Sequence, residues 1–307
     1  MAMITTEGLL VLIRLNLVAG AAIALVLALR PLVRRGFGAH QAYLSWLIVP
    51  VAVLGGMIPP PEGGGRIGSL EGAVGGARAW LSDGPHRWIL AGAWGAGVLI
   101  SVAVTVWRYR RFLVQERSGF AGPAIVGVVT PRLVTPSDFE DRFTPEECRL
   151  VRAHERAHID RLDARCNALV LAFQCLCWFN PLVYLAARAV RFDQELACDA
   201  TVMTRLPMER RRYAEALLHS QRGAAVSPLG CDWSCAGARL LMTRLTTLME
   251  KRPGEDRCAV GDMLLACIWA FVLVTAWAAQ PPDRRARDAH THVILMPLNM
   301  MPADRSF

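Results

Sequence analysis

Four stretches of this chain are apolar on every face, without the polar stripe that marks a helix lying on a protein surface. Leu9–Leu29 is interrupted only by Arg14 and Asn16, and Tyr43–Pro59, Trp88–Trp107 and Met263–Ala279 carry no charge. Runs of this length without a polar face are expected to be transmembrane helices. Arg14, near one end of the first, is expected to snorkel outward, the alternative being that it faces the bundle. Between the third and fourth runs the pattern changes. Thr144-Pro145-Glu146-Glu147 combines an N-cap, a proline at the first helical position and a capping-box glutamate, and nothing before Asp163 would break the helix it starts. Ala124–Val129 reads as a strand followed by Pro131–Val134, either a small hairpin or an edge able to hold an extended peptide. Asn167–Val190 is apolar and broken at Asn180-Pro181. It reads as a buried hairpin or as one that dips into a membrane without crossing it. From Leu206 to Arg252 helical alternation returns, with Tyr213, Leu217, Leu218, Leu240, Leu241, Leu245 and Leu248 inward. Pro60–Arg87, rich in Gly and Pro, reads as a flexible connection.

The composition fits this pattern. The chain is 53% hydrophobic and carries a net charge of +8. Arg30, Arg34 and Arg35 follow the first run, Arg108, Arg110, Arg111 and Arg117 follow the third, and Lys251, Arg252 and Arg257 precede the fourth. The positive-inside rule then predicts an N-terminus outside and a cytoplasmic segment between the third and fourth spans. Arg284, Arg285 and Arg287 run against this and are partly offset by Asp283 and Asp288. The expected division is a membrane domain with three spans over 1–107, a cytoplasmic domain over 108–262, a fourth span over 263–279 and a short extracytoplasmic tail over 280–307. The first run has no basic region before it and does not read as a removable signal peptide. Arginines placed at membrane boundaries make the lipid bilayer the natural partner of the excess charge, and no motif supports direct nucleic-acid binding. The cysteines fall mostly in the segment assigned to reducing cytosol and read as free thiols, Cys231 and Cys235 included.

Chemistry concentrates in His154-Glu155-Arg156-Ala157-His158. Histidines four apart share one helix face and can reach one metal, with Glu155 beside the open position as a base. A catalytic zinc needs a third protein ligand, and Glu195 is the candidate. Between His158 and Glu195 there is room for one helix to end, the chain to reverse near Pro181 and another helix to return. Asp199, one turn after Glu195, is placed to accept a hydrogen bond from a ligating histidine. Cys198 lies off that face and reads as packing, and Tyr213 and His219 read as structural groups more than as oxyanion donors. The plainer alternative is a charged surface helix, with Glu195 and Asp199 paired to Arg188 or Arg191. The glutamate between the histidines and the acidic pair downstream weigh against it.

Three runs carry a resemblance: His-Glu-Arg-Ala-His-Ile-Asp-Arg-Leu-Asp, Trp-Phe-Asn-Pro-Leu-Val-Tyr and Asp-Gln-Glu-Leu-Ala-Cys-Asp. They resemble the BlaR/MecR-type membrane metallopeptidases, the β-lactam sensor-transducers of bacteria and their wider antirepressor family. Gly122–Gly127 and the plan of three spans, a zinc domain and a fourth span are similar too. The resemblance implies a mainly α polytopic protein of the bacterial inner membrane, with a cytoplasmic gluzincin-like α+β zinc domain between the third and fourth spans. It also implies zinc on His154, His158 and Glu195, with Glu155 as the catalytic group. The sensor-transducers carry a penicillin-binding domain after the last span, for which residues 280–307 are too short, so a signal is expected to arrive through the spans, a loop, or a sensor partner or second copy. The expected activity is a zinc endopeptidase cutting a cytoplasmic protein, with a transcriptional repressor or the chain itself as substrate. The alternatives are a broad quality-control peptidase and a transducer that keeps the metal site for structure alone.

Overall fold

The computed structural model describes residues 2–59, 80–81, 85–118, 123–219, 238–250 and 253–280. Most of the Pro60–Arg87 loop, the Cys231/Cys235 pair and the tail beyond Gln280 lie outside the described residues. The chain is mainly helical. The first helix, α1 (Ala2–Phe37), ends in Arg34 and Arg35. Gly38, at φ 112°, reverses the chain into α2 (Ala39–Leu44), a conformation that a side chain would strain. A 3₁₀ turn (Ser45–Leu47) joins α2 to α3 (Ile48–Met57), and α4 (His86–Arg117) follows. The fourth apolar run lies in α11 (Glu255–Ala278). Four helical stretches, Thr6–Phe37, Ala39–Met57, His86–Arg117 and Glu255–Ala278, are long and apolar enough to cross a membrane. They coincide with the four apolar runs of the sequence. Arg14 takes the second of its two expected positions, facing the bundle. Its guanidinium donates to the Gly56 carbonyl at 2.9 Å, so the side chain turns into the bundle to satisfy a backbone group of α3.

Between α4 and α11 lies the segment that carries the chemistry. Strands β1 (Ala124–Val126) and β2 (Arg132–Val134) pair antiparallel with Ile125 opposite Leu133. This is a small hairpin with β1 buried, so the β content of the segment is slight. Helices α5 (Phe139–Arg142), α6 (Pro145–Asp160), α7 (Asp163–Leu176), α8 (Pro181–Arg205), α9 (Arg210–His219) and α10 (Ala238–Met249) follow. The capping box starts α6 as read: Thr144 Oγ1 accepts from the Glu147 amide, and the Glu147 carboxylate accepts from the Thr144 amide. Helix α6 stops at Asp160, however, with Leu162 in the left-handed region at φ 60°.

Two cores share α8. Its later part joins Leu150, Val151 and Ala157 of α6, Tyr213 and Leu217 of α9 and Leu248 of α10. Its earlier part, Val183, Ala186 and Val190, packs with Ile23 and Val26 of α1 and with Trp46 and Ile48. Of the residues the alternation indicated, Tyr213, Leu217 and Leu248 are buried and Leu241 and Leu245 pack against the same core, whereas Leu240 is not part of it and Leu218 is 51% exposed on the far side of α9. Helices α3 and α11 touch closely at Gly55, where a Cβ would stand 2.7 Å from the Leu273 carbonyl oxygen and 2.9 Å from the Ala276 Cβ. Gly55→Val is therefore expected to cost about 1–3 kcal/mol through overpacking. Gly92→Val, where a Cβ meets nothing within 4 Å, serves as the neutral control. Thermal unfolding of the two variants in detergent checks this; equal midpoints would show that α3 and α11 do not pack here.

Candidate metal centre

His154 and His158 project from one face of α6 and meet Glu195 of α8, all three buried. The two Nε2 atoms are 3.0 Å apart. Glu195 Oε2 lies 3.4 Å from His154 Nε2, and Oε1 lies 3.5 Å from His158 Nε2. Donors at tetrahedral corners about 2.0–2.2 Å from a zinc ion stand roughly 3.2–3.6 Å apart; both His–Glu distances lie in that range and the Nε2 pair is slightly closer.

The outer partners fix which ring nitrogens face the centre. Asp163 Oδ2 is 2.8 Å from His158 Nδ1. Burial would raise the Asp163 carboxyl, but the hydrogen bond and charge of His158, with Arg161 and Tyr43, hold it below its ordinary value. As a carboxylate it only accepts, so His158 Nδ1 carries the proton. Tyr213 donates to Asp199 Oδ1 at 2.6 Å, so its oxygen accepts from His154 Nδ1 at 2.7 Å. Both Nε2 lone pairs then face one buried space, where they repel unless a cation lies between them. This donor set fits a zinc ion. His158, Asp163 and Cys198 also lie close enough to group around an ion, but that set uses the nitrogen already committed to Asp163.

Asp199 reaches His154 Nδ1 at 3.4 Å and more closely through Tyr213. Arg244, wholly buried on α10, holds this layer together. It donates to both Asp199 oxygens, from Nε at 2.8 Å and Nη2 at 2.6 Å, and its Nη1 lies 3.0 Å from Glu195 Oε2. Burial would raise both carboxyls; the Arg244 charge and the nearby histidines outweigh it and hold Glu195 below, and Asp199 well below, the usual range. Burial and the Asp199 charge push the Tyr213 hydroxyl up. Glu155 is fully buried next to His154 in the chain.

The structure thus brings His154, His158, Glu195 and Asp199 together, with Glu155 buried and adjacent to His154 in the chain. It adds Asp163, Tyr213, Arg244 and Cys198. Cys198 packs in the core, as read, and its sulfur also lies 3.1 Å from His158 Nδ1 and 3.4 Å from Asp163 Oδ2, so it belongs to the surroundings of His158 as well. The break at Leu162 turns the chain so that Asp163 comes back to His158. Asp163 stood in the sequence as the acid just beyond the histidine pair, whereas Arg244 gave no local signal at all. His219 pairs with Glu147 at 2.7 Å, away from the histidine pair.

A helical membrane-type protein whose buried centre combines His-Glu-x-x-His with a distant glutamate has the form of a membrane metallopeptidase. Residues 103–248 match the family model described as BlaR1 peptidase M56. A stretch of 113 residues, 36% of this chain, is 28% identical to the regulatory protein BlaR1 of Bacillus licheniformis. A similar stretch of 110 residues is 27% identical to the methicillin resistance mecR1 protein of Staphylococcus aureus. In each case the match covers 19% of the relative's length. Residues 103–248 are therefore similar to the peptidase M56 region of the BlaR/MecR-type proteins, in line with the resemblance read from the motifs.

Replacing Asp163 by Asn is expected to weaken zinc binding about 10–100-fold, because the outer carboxylate orients its histidine. Titration against a chromogenic chelator measures this, and unchanged affinity would remove Asp163 from the site. Arg244→Ala leaves two buried carboxylates without their shared cation and is expected to cost about 3–5 kcal/mol. Arg244→Lys should recover only part of that loss in thermal unfolding, since an ammonium cannot reproduce the fork.

Proposed function

We propose that the chain is a zinc-dependent endopeptidase of the bacterial inner membrane that cuts a cytoplasmic protein in signal transduction. The observation that carries this is the convergence of His154, His158 and Glu195 with a buried glutamate beside the first histidine. A purely structural site needs no base there. Zinc held by His154, His158 and Glu195 would supply Lewis acidity, making water more acidic and polarising the scissile carbonyl. Glu155 takes the proton of the attacking water and passes it to the leaving amine. Asp163 and Tyr213 keep the Nδ1 protons in place, so that both Nε2 atoms remain available as ligands.

The juxtamembrane arginines support an N-terminus outside and an active site on the cytoplasmic side. A transcriptional repressor as substrate follows from the family resemblance, and the regulatory name of the Bacillus licheniformis relative accords with it. Signalling has a physical route. The Tyr43 hydroxyl, at the start of the second candidate span, donates to Asp163 Oδ1 at 3.0 Å and accepts from Gln194 at 3.2 Å. Asp193, two residues before Glu195, is held by Arg30 at 2.9 Å and Trp46 at 2.8 Å. A shift of α1 or α2 would therefore disturb groups next to two of the three ligands.

Glu155→Gln in native membranes is expected to retain zinc while cleavage falls about 10²–10⁴-fold, the usual contribution of a general base. N-terminal proteomics beside metal analysis reads both quantities and identifies the substrate. Zinc retained with an unchanged cleavage profile would sink the peptidase reading. Tyr43→Phe removes one hydrogen bond to a carboxylate and should weaken zinc binding up to about tenfold. Chelator titration that shows no change would end the proposed route through α2.

A further inference from the structure

We infer that the α7–α8 hairpin is inserted halfway into the bilayer, its turn near the mid-plane and its outer face against lipid acyl chains. The inference rests on reading the four apolar helices as membrane spans. Two independent rulers locate the turn. Trp178 packs on Gly97 of α4, about 17 Å along the helix from Arg108 at 1.5 Å per residue. Asn180 and Leu182 pack on Gly20 of α1, about 15 Å from Arg30 by the same measure. The hydrocarbon core is about 30 Å thick, so both rulers reach its middle from the arginine-bearing ends of the spans.

The composition of the hairpin agrees. From Cys166 to Ala187 no residue is charged, while Arg165 and Arg188 flank this run and are exposed. The arm within α7 is about 16 Å long and the arm of α8 before Arg188 about 10 Å, each too short to cross. Arg188 can extend its stem toward the headgroups.

At that depth non-helical backbone needs its polar groups satisfied within the protein, and several groups of the turn are so satisfied. The Leu176 carbonyl accepts from Trp94 at 2.9 Å, that of Cys177 from the Asn180 amide at 2.9 Å and that of Trp178 from Tyr184 at 3.0 Å. Asn180 caps α8 through the Leu182 amide and donates to Asn16 of α1 at 2.8 Å. Outward, Leu169 is 73% exposed, Leu176 46%, Phe179 47% and Leu185 49%. The hairpin lies against α4, whose own outer residues Leu99 and Ile100 are exposed at 72% and 64%.

The test uses the unaltered full-length chain in membrane vesicles with a photoactivated carbene reagent dissolved in the acyl region, mapped by mass spectrometry. Leu169, Leu176, Phe179 and Leu185 should label within about threefold of Leu99, Ile100 and Phe271, and about tenfold or more above exposed Met208, following partition of the apolar reagent into lipid. Hairpin labelling no higher than Met208, beside labelled spans, overturns the inference and points to a second copy or another protein covering this face. Failure at Leu99, Ile100 and Phe271 as well would remove the membrane reading, and the insertion with it.

Discussion

The centre depends on holding two imidazole lone pairs and several carboxylates together where water cannot solvate them. His154 and His158 bring their Nε2 atoms to 3.0 Å, and Glu195, Asp199 and Asp163 are all buried around them. Left uncompensated, such an arrangement would push itself apart or take up protons. Arg244 prevents this by placing one planar cation on both Asp199 oxygens while its remaining edge meets Glu195. That charge leaves Asp199 ionised, which fixes the Tyr213 hydroxyl as its donor, which in turn fixes His154. On the other side Arg161 and Tyr43 do the same for Asp163 and thus for His158. The ligands are set by protons and charges one layer behind them.

Helix α8 connects this electrostatic layer to the membrane-type helices. One half contributes to the core beneath the centre, the other to the core shared with α1 and α2. The junction falls near Asp193, where Arg30, Arg34 and Trp46 converge on one carboxylate two residues from Glu195. Burial raises the Asp193 carboxyl, against the pull of Arg30 and Trp46, so this contact is costly to keep and sensitive to where the arginines stand. In the proposed route, a displacement of α1 at Asp193 would reach Glu195, two residues further along the same helix.

The sequence made legible the parts that rest on local rules. Apolar runs gave the four long helical stretches, the capping box gave the start of α6, and the spacing of His154 and His158 with a later Glu195 gave the candidate ligand cluster. What escaped depends on the fold bringing distant groups together. Arg244 is one arginine among many until α10 packs under α8, and Arg14 turns inward only because a free carbonyl at Gly56 faces it. The end of α6 escaped for a different reason. Arg161 and Leu162 contain no breaker, and the left-handed Leu162 costs about 1–2 kcal/mol that no local preference supplies. The return of Asp163 to His158, Tyr43 and Arg161 offsets it, and that compensation is tertiary.

Depth then constrains what can be cut. Along α8, Glu195 lies about 22 Å from Asn180, past the middle of the helix. If the turn reaches the bilayer mid-plane, Glu195 comes out near the plane of Arg30 and Arg34, which hold the neighbouring Asp193. The centre proposed here would sit at the membrane surface, facing chain segments that lie along the headgroups. His154, Glu155 and His158 are at most 1% exposed and Glu195 is 7% exposed, so a peptide reaching them must displace part of the fold. If it holds that position, a site this enclosed and braced by residues of α1 and α2 suits a cut made on a signal more than continuous turnover of unfolded chains.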